Sequence, residues 1–344
     1  MTTAPSLAAI VLAAGKGTRM KSPRAKVLHE VFYRPMLHHV LDAVQPLRPA
    51  PTVVIVGHQR EQVQRSVSSY PVICAPQFEQ LGTGHAVLCA EPYLTDFTGT
   101  VLIVCGDSPL LLTRHLDEML ARHRTAGGPL TIMTTRLSQP TNYGRIISDE
   151  GGRISAIVEE KDASAEQRLI TEINAGLYCV ETSFLFGALH RVTSNNSQQE
   201  RYLTDIVAIA VADGIAVTKY EHPHPFHVLG VNSRVELAQA HREISRRRNT
   251  ELMASGVTMH NPDSVTVAPT VTVGADCLLT ERITLCGQTS LGAGCQVEPG
   301  VSIEDADIGA GSRIGAGSVL RGCSLAPGTE VPPLQYISGE HNRR

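Results

Sequence analysis

Aliphatic residues recur at intervals of six along the last third of this chain. The interval shortens by one residue twice, but the register is otherwise kept from residue 267 to residue 331. Such a repeat predicts a β-helix, in which three hexads form one triangular coil and each coil buries its aliphatic side chains against the next. We predict roughly four coils over residues 257–335, followed by a tail over 336–344. The aliphatic positions are Val267, Val273, Leu279, Leu285, Leu291, Val297, Ile303, Ile308, Ile314, Leu320, Leu325 and Val331.

The first two thirds of the chain follow a different pattern, in which short apolar runs alternate with amphipathic segments. Because strands and helices alternate at this pace, we predict a mostly parallel α/β sheet covered by helices on both faces. A long helix with several arginines is predicted after residue 232 as a connector to the β-helix. The predicted strands are 7–12, 52–56, 72–75, 100–104, 130–136, 154–160, 174–180, 217–220 and 226–229, and the predicted helices include 36–47, 59–67, 85–90 and 203–212.

Composition excludes several classes of function. The 344 residues carry a net charge of −3, only 4% are aromatic, and there is no tryptophan. Neither a nucleic-acid partner nor a membrane partner is therefore expected. The eight cysteines form no CxxC pair, so we expect reduced thiols in a cytoplasmic protein rather than a disulfide scaffold or a zinc ribbon. The N-terminus lacks the pattern of a signal peptide, and no apolar run approaches the length of a membrane span.

The first predicted strand ends in a loop rich in glycine and basic residues. Two glycines, Gly15 and Gly17, allow backbone amides to approach an anion. Five basic residues stand in this segment with no acid before Glu30. A polyphosphate ligand at the carboxyl end of a parallel strand explains this composition, although a glycine turn with a solvated basic loop is the simpler alternative. The dinucleotide fingerprint is excluded, because Met20 stands where its third glycine would be, and the GxxxxGK[ST] spacing is also missing.

Two further segments carry candidate functional residues. Asp107 follows the predicted strand 100–104, so its carboxylate is expected at the same edge of the sheet as the first loop, where it would suit Mg²⁺. The alternative is that Asp107 caps the helix that begins near Thr113. In the segment 77–86 a glycine turn precedes a helix, which allows backbone contact with a nucleotide base, whereas Thr83 as the helix N-cap is the alternative.

Several strings in the sequence resemble one family. The strings LAAGxGTRM and PxAKVLH resemble the signature of the sugar nucleotidyltransferases. Together with QxxQLGTGHA, GDxPL, YGRI, IVEEKDA, EINAG and YxTD, they most resemble the N-acetylglucosamine-1-phosphate uridyltransferase half of the bifunctional bacterial enzyme of UDP-N-acetylglucosamine synthesis. The resemblance implies a Rossmann-like nucleotidyltransferase domain over 1–232, a connector helix over 233–256 and a short left-handed parallel β-helix. It also implies Mg²⁺-dependent transfer of a uridylyl group from UTP to N-acetylglucosamine 1-phosphate.

The resemblance also implies roles for individual residues. Arg19 and Lys26 would stabilise charge on the phosphates, and Asp107 and Asn232 would hold the metal; for Asn232 a helix N-cap is the alternative. Cys105 departs from the family, which commonly has a tyrosine there, so any ring contact with the nucleotide is lost. The residues expected to bind substrate are Leu12, Ala13, Ala14, Gly15, Gly17, Thr18, Gln77, Gly82, Thr83, Cys105, Gly106, Gly144, Glu159, Asn174 and Asn232.

The second departure from the family lies in the β-helix. The bifunctional enzyme has a longer β-helix with an acetyl-CoA-dependent acetyltransferase site, whereas this sequence stops at Arg344. We therefore expect no acetyltransferase activity, and we expect a homotrimer assembled through the β-helix. Two alternatives to the expected function stay open: a nucleotidyltransferase for another sugar 1-phosphate, such as glucose 1-phosphate with UTP or dTTP, and an inactive subunit that binds a nucleotide sugar.

Overall fold

A computed structural model describes residues 6–339 of the chain. The residues fall into two compact units. Within the described residues, the first unit comprises 6–30 and 34–236, and the second comprises 31–33 and 237–339. The predicted fold class is confirmed, because the first unit is built on a mostly parallel α/β sheet and the second on short parallel strands stacked as a left-handed β-helix. Within residues 6–339, no helix combines the length and the apolar character needed to cross a membrane.

The central sheet of the first unit has the strand order β11-β7-β10-β6-β1-β4-β5. Neighbouring strands on this path run parallel, except that β10 is antiparallel to both β6 and β7. The strands over residues 7–221 are β1 (Leu7–Ala13), β2 (Glu30–Val31), β3 (Arg34–Pro35), β4 (Thr52–Val56), β5 (Ile73–Pro76), β6 (Thr100–Cys105), β7 (Leu130–Arg136), β8 (Arg145–Ser148), β9 (Ile154–Val158), β10 (Glu172–Glu181) and β11 (Thr218–Glu221). Beside the path, β8 pairs with β10 and β9, whereas β2 and β3 form a separate two-stranded sheet.

Both faces of the sheet are buried, as the apolar runs predict. On β1 the side chains alternate between two hydrophobic cores, with Ala8 and Ile10 in one core and Ala9 and Val11 in the other. The register of β1 with β6 pairs Leu12 with Cys105, so the carboxyl ends of these strands meet at one edge. The helices are α1 (Met36–Val44), α2 (Arg60–Ser66), α3 (Thr83–Leu88), α4 (Thr113–Ala126), α5 (Thr182–Arg191), α6 (Asp205–Ala212) and α7 (Arg234–Ala254).

In the first unit, one predicted strand is wrong, and the alternative role considered for Thr83 does not hold. The predicted strand 226–229 is not formed, because Pro225 opens a short 3-10 helix, Pro225–His227, in its place; proline favours the first position of a helical turn and cannot donate to a strand. Thr83 is not the N-cap of α3, because that position belongs to Gly82. The Thr83 hydroxyl instead accepts a hydrogen bond from the Leu203 amide at 2.9 Å.

The second unit keeps the predicted six-residue register. Each predicted aliphatic position lies in a strand, and strands stack in parallel on the strand one coil away. The predicted tail begins too early, because Tyr336–Ser338 forms a further strand that pairs with Val319–Arg321, and residues 340–344 lie outside the described residues. The strands are β12 (Thr258–Met259), β13 (Thr266–Val267), β14 (Thr272–Val273), β15 (Leu278–Leu279), β16 (Thr284–Cys286), β17 (Ser290–Leu291), β18 (Gln296–Val297), β19 (Ser302–Glu304), β20 (Asp307–Ile308), β21 (Arg313–Ile314), β22 (Val319–Arg321), β23 (Ser324–Leu325), β24 (Glu330–Val331) and β25 (Tyr336–Ser338).

Candidate active site

A cavity of about 490 Å³ opens at the carboxyl ends of β1 and β6. This is the edge of a parallel sheet at which α/β proteins commonly bind their ligands. The first loop forms one wall, and the segment before α3 contributes to another. The lining residues are Leu12, Ala13, Ala14, Gly15, Lys16, Gly17, Thr18, Arg19, Lys26, Val27, Gln77, Gln80, Gly82, Thr83, Ala86, Cys105, Asp107, Glu200 and Asn232.

Four charged or polar side chains meet in this cavity, and we call them the polar centre: Arg19, Lys26, Asp107 and Asn232. The Lys26 ammonium donates hydrogen bonds to the Asp107 carboxylate and, at 2.6 Å, to the Asn232 amide oxygen. The Arg19 guanidinium donates to the same amide oxygen at 2.8 Å. The polar centre therefore presents two cations for an anionic ligand beside two oxygen atoms that could bind a metal cation.

Two glycines allow the segments of the polar centre to come this close. Gly17 has a φ of 64°, and a Cβ atom there would lie 2.5 Å from the Cβ of Lys26. A Cβ atom on Gly230 would lie 2.7 Å from Oδ1 of Asp107. The next residue, Val231, donates its amide to the Asp107 carbonyl at 2.8 Å. The glycines thus permit a backbone approach that brings Asn232 to Asp107.

Neither metal-ligand candidate acts as a helix cap, which was the alternative for both. The N-cap of α4 is Leu112, five positions after Asp107. At the start of α7, the Ser233 hydroxyl accepts a hydrogen bond from the backbone N–H of Glu236 at 3.2 Å. The Glu236 carboxylate accepts one from the backbone N–H of Asn232 at 2.6 Å. The Ser233 hydroxyl therefore occupies the N-cap position before α7, and the Asn232 side chain lines the cavity.

The segment before α3 contains Gln77, one of the residues predicted to bind substrate. The buried Gln77 donates a hydrogen bond from its side-chain amide to the Gly82 carbonyl at 3.1 Å.

Cys105 lies opposite the bulge of β10, with its sulfur 3.5 Å from the Gly176 carbonyl oxygen. Burial raises the pKa of the Cys105 thiol to about 12. The thiol is therefore neutral at physiological pH and is not an activated nucleophile.

Four predicted substrate-binding residues lie outside the lining of this cavity. Gly106 donates its amide to the Leu12 carbonyl at 2.9 Å and so joins β1 to the end of β6. The other three, Gly144, Glu159 and Asn174, form a second cluster that we call the side wall. The Gly144 carbonyl accepts the Asn174 amide at 2.9 Å, and a Cβ atom on Gly144 would lie 3.4 Å from the Glu159 carboxylate.

The side wall is ordered by its own hydrogen bonds. The Glu159 carboxylate accepts the Thr204 hydroxyl at 3.1 Å, and burial raises the pKa of Glu159. The Asn174 amide donates to the Tyr178 hydroxyl at 2.6 Å. Tyr143, next to Gly144 in sequence, lies near the polar centre, and burial raises the pKa of this phenol to about 12. Tyr143 therefore stands between the side wall and the polar centre.

Sequence reasoning missed several residues that shape the site. Gln59 is the most informative of them, because its side-chain amide accepts the Ala25 amide and donates to the Pro23 carbonyl, both at 2.7 Å. These contacts hold the loop that carries Lys26. Gln80 and Glu200 stand inside or beside strings already noticed, but nothing in a single sequence pairs Gln59 with a loop so distant from it. The missed residues are Lys16, Val27, Gln59, Gln80, Ala86, Tyr143, Glu200 and Thr204.

Comparison with known proteins decides the family. Residues 9–255 match the family model of the MobA-like NTP transferase domain. A curated relative from Desulfotalea psychrophila, named Bifunctional protein GlmU, is 46% identical over 329 residues, which cover 96% of this chain and 97% of the relative. The chain belongs to the GlmU family. A second GlmU relative, from Pelobacter propionicus, is 45% identical over 333 residues, which cover 96% of this chain and 72% of the relative.

Membership of the GlmU family confirms the predicted resemblance, and the NTP transferase domain makes the chain a nucleotidyltransferase. A third GlmU relative, from Thermobifida fusca, is 44% identical over 315 residues, covering 90% of this chain and 65% of its own length. The names of all three relatives contain the word bifunctional. The expectation that this chain lacks acetyltransferase activity therefore stays a prediction.

Proposed function

We propose that this chain transfers a uridylyl group from UTP to N-acetylglucosamine 1-phosphate, which releases pyrophosphate and forms UDP-N-acetylglucosamine. The observation that carries the proposal is the polar centre, where Lys26 contacts both Asp107 and Asn232 at the end of a glycine-rich loop. Such an arrangement suits phosphoryl chemistry, in which positioning and charge neutralisation contribute most of the rate. Membership of the GlmU family supports the choice of uridine and of the acetamido sugar.

The reaction assigns a task to each part of the cavity. The sugar phosphate oxygen attacks the α-phosphorus of UTP, a new P–O bond forms, and the bond to pyrophosphate breaks. The backbone amides of Gly15–Thr18 and the Arg19 guanidinium hold the β- and γ-phosphates. The Lys26 ammonium, fixed from outside the cavity through the Gln59 contacts to its loop, stabilises charge that grows at the α-phosphate.

The oxygens of Asp107 and Asn232 are proposed to hold Mg²⁺. The donor set fits this ion, because a carboxylate and an amide oxygen are hard ligands and Mg²⁺ commonly takes one or two carboxylates together with substrate phosphates. Both oxygens also lie within hydrogen-bond reach of the same Lys26 ammonium, so they are close enough to share one cation. When bound, the ion would neutralise charge on the phosphate oxygens.

The side wall is proposed to bind the sugar. Gly144 packs beside the Glu159 carboxylate, and the carboxylate can accept hydrogen bonds from sugar hydroxyls. Asn174 offers both a donor and an acceptor, as an acetamido group requires.

The test is a panel of substrates with release of pyrophosphate as the readout. UTP, dTTP, ATP and GTP are each combined with N-acetylglucosamine 1-phosphate and with glucose 1-phosphate, in the presence of Mg²⁺. We expect UTP with N-acetylglucosamine 1-phosphate to give a kcat/KM at least about tenfold above every other pair, since unpaired polar groups in a site penalise the wrong ligand. Equal rates with glucose 1-phosphate would contradict the sugar assignment. Binding of UTP by calorimetry without turnover of any pair would instead indicate an inactive binding subunit.

The assembly is also part of the proposal. We infer a homotrimer through the β-helix, and light scattering of the full chain should then give three times the chain mass of 37.0 kDa. A mass of one chain would contradict the trimer without affecting the assignment of the reaction.

A further inference from the structure

Three histidines that the proposed reaction does not use lie together in the first unit. His115 stands in the first turn of α4, His222 follows β11 directly, and His227 ends the 3-10 helix that replaces the predicted strand 226–229. His115 and His222 are each only 3% exposed. One ring nitrogen from each histidine lies within 4.8 Å of the other two. We call these three residues the histidine cluster.

The rings of the histidine cluster are packed closely and are held by the backbone. The ring centres of His115 and His222 are 4.5 Å apart, and His227 stacks on His115 at 5.6 Å. Nδ1 of His222 lies 3.0 Å from the His224 carbonyl oxygen and 3.1 Å from the His224 backbone nitrogen, and Nδ1 of His115 accepts the Leu112 backbone N–H at 3.3 Å. Because these contacts engage Nδ1 of both rings, Nε2 is the atom through which His115 and His222 would coordinate an ion.

The contacts at Nδ1 resemble the support that metal-binding histidines need. A histidine that binds a metal through Nε2 usually donates its Nδ1 hydrogen to a carbonyl or carboxylate oxygen, and the His224 carbonyl is placed to accept it from His222, in place of the bond that the His224 N–H donates to the same nitrogen at 3.1 Å. For His115, the same arrangement requires that the 3.3 Å hydrogen bond from the Leu112 backbone N–H be given up. The Leu112 N–H then lacks this acceptor, and the free energy of metal binding has to exceed that cost.

We propose that His115, His222 and His227 form a binding site for a divalent transition-metal ion of the zinc type. Three imidazole nitrogens suit Zn²⁺, Co²⁺, Ni²⁺ or Cu²⁺, whereas Mg²⁺ prefers oxygen ligands. Zn–N bonds of about 2.0–2.1 Å in a tetrahedral site place the nitrogens roughly 3.4 Å apart. The nitrogens of the cluster, which lie within 4.8 Å, therefore draw together when the ion binds.

The site would serve as a cross-link between the two segments that deliver the polar centre. His115 lies eight residues after Asp107, and His227 lies five residues before Asn232. The amide of Val231 already joins these segments by its bond to the Asp107 carbonyl. An ion held by the histidine cluster adds a second connection between them, and an ion that binds only the folded state stabilises that state.

The test uses Co²⁺ and Zn²⁺ alone as probes on the full chain, in an Asp107→Asn background that weakens metal binding at the polar centre. We expect Co²⁺ to give visible absorption bands of a four-coordinate nitrogen site that saturate at one ion per chain, and Zn²⁺ to displace them. Zn²⁺ should also raise the Tm. A lack of saturable bands would overturn the proposal, and so would an intense near-ultraviolet band, because it would assign the ion to a cysteine thiolate instead.

Single substitutions then locate the site. His115→Gln and His227→Gln should each weaken Co²⁺ binding about 100-fold or more, since each removes a direct ligand. His190→Gln is the matched control, because His190 is an exposed histidine of the same unit that pairs with Glu91; this variant should bind as tightly as its parent. Circular dichroism without metal establishes that each variant is folded. Unchanged binding in folded His115→Gln and His227→Gln would overturn the proposal, whatever the outcome of the transferase assay.

Discussion

The central sheet of the first unit and the β-helix both bury aliphatic strands, but they pair strands over different distances in the sequence. In the first unit, β1 pairs with β6, so that Leu7 stands beside Thr100. In the β-helix, Thr266 stands beside Thr284, one coil later. Each coil therefore depends mainly on its neighbours, whereas the sheet and its cavity depend on segments that are far apart in the chain. Substitutions in the β-helix should therefore affect mainly the stability of neighbouring coils, whereas substitutions in the first unit can disturb the cavity.

The largest effect is expected for Lys26→Met in the first unit. The substitution keeps an unbranched stem against Gly17 but removes the charge that contacts Asp107 and Asn232. We expect kcat/KM for pyrophosphate release to fall about 1000-fold, the upper range for loss of one preorganised charge contact. Lys219→Met is the control, because Lys219 pairs with Glu172 outside the cavity. A loss of less than tenfold in Lys26→Met would contradict the role of Lys26 in the reaction.

In the β-helix, the expected large effect is on stability alone. Leu285 is fully buried, and Leu285→Ala should lower the free energy of unfolding of the second unit by about 2–5 kcal/mol through lost burial and a cavity. Nucleotidyl transfer should keep its kcat/KM at temperatures where the variant is folded. Thermal unfolding and the pyrophosphate assay on the same sample measure both quantities.

Leu334→Ala is the matched control for Leu285→Ala, because Leu334 is 81% exposed and its truncation should change stability by less than about 0.5 kcal/mol. A fall in kcat/KM of Leu285→Ala in the folded protein would break the comparison between the two regions, since the second unit would then affect the reaction.

A smaller effect is expected for Gly230→Ala, which places a Cβ atom 2.7 Å from the Asp107 carboxylate. The carboxylate must then move relative to Asn232, and we expect kcat/KM to fall about 10- to 100-fold, as for a displacement of a positioning group by about 1 Å. Gly187→Ala is the control, because among the described residues no heavy atom lies within 4 Å of the added methyl group. Wild-type activity in Gly230→Ala would show that the close approach to Asp107 is not needed.

The smallest expected effect concerns the pH dependence of stability at Glu159. Burial raises the pKa of this carboxyl above its ordinary value of 4.5, so the folded state holds the proton more tightly than the unfolded chain does. Stability should therefore fall as the pH rises from about 4.5 to the higher pKa of the folded state. Glu159→Gln should lack this decrease, and its Tm should rise relative to the Tm of the wild type as the pH rises through this window. Parallel Tm curves for the two proteins from pH 4 to pH 8 would contradict the assignment.

The β-helix could be predicted from the sequence in almost every strand, because its register is local. The sheet was also predictable, since β1, β4 and β6 are continuous apolar runs. The segment 226–229 was misjudged because its apolar residues suggest a strand, whereas Pro225 and the contacts of the neighbouring histidines favour a 3-10 helix. The strand Tyr336–Ser338 was missed because the six-residue register of aliphatic residues was followed only to Val331.

Site residues could be predicted where they stand in a recognisable sequence motif, but their contacts could not be predicted where these depend on the fold. Asp107, Lys26 and Asn232 stand in recognisable strings, and the structure brings them together. The contacts of Gln59 with the loop of Lys26 depend on the packing of α2 beside that loop. The hydrogen bond from the Thr204 hydroxyl to the Glu159 carboxylate likewise joins two strings that were considered separately. A single sequence contains no signal for such pairings.

The central claim is that the oxygens of Asp107 and Asn232 hold the divalent ion of the reaction beside the phosphates. The most direct measurement is the rate of pyrophosphate release as a function of Mg²⁺ concentration for the wild type, for Asp107→Asn and for Asp117→Asn, an exposed aspartate on α4. We expect Asp107→Asn to need a higher Mg²⁺ concentration for its half-maximal rate and to lose about 100-fold or more in kcat, while Asp117→Asn follows the wild-type curve. A folded Asp107→Asn enzyme with the wild-type curve would contradict the claim.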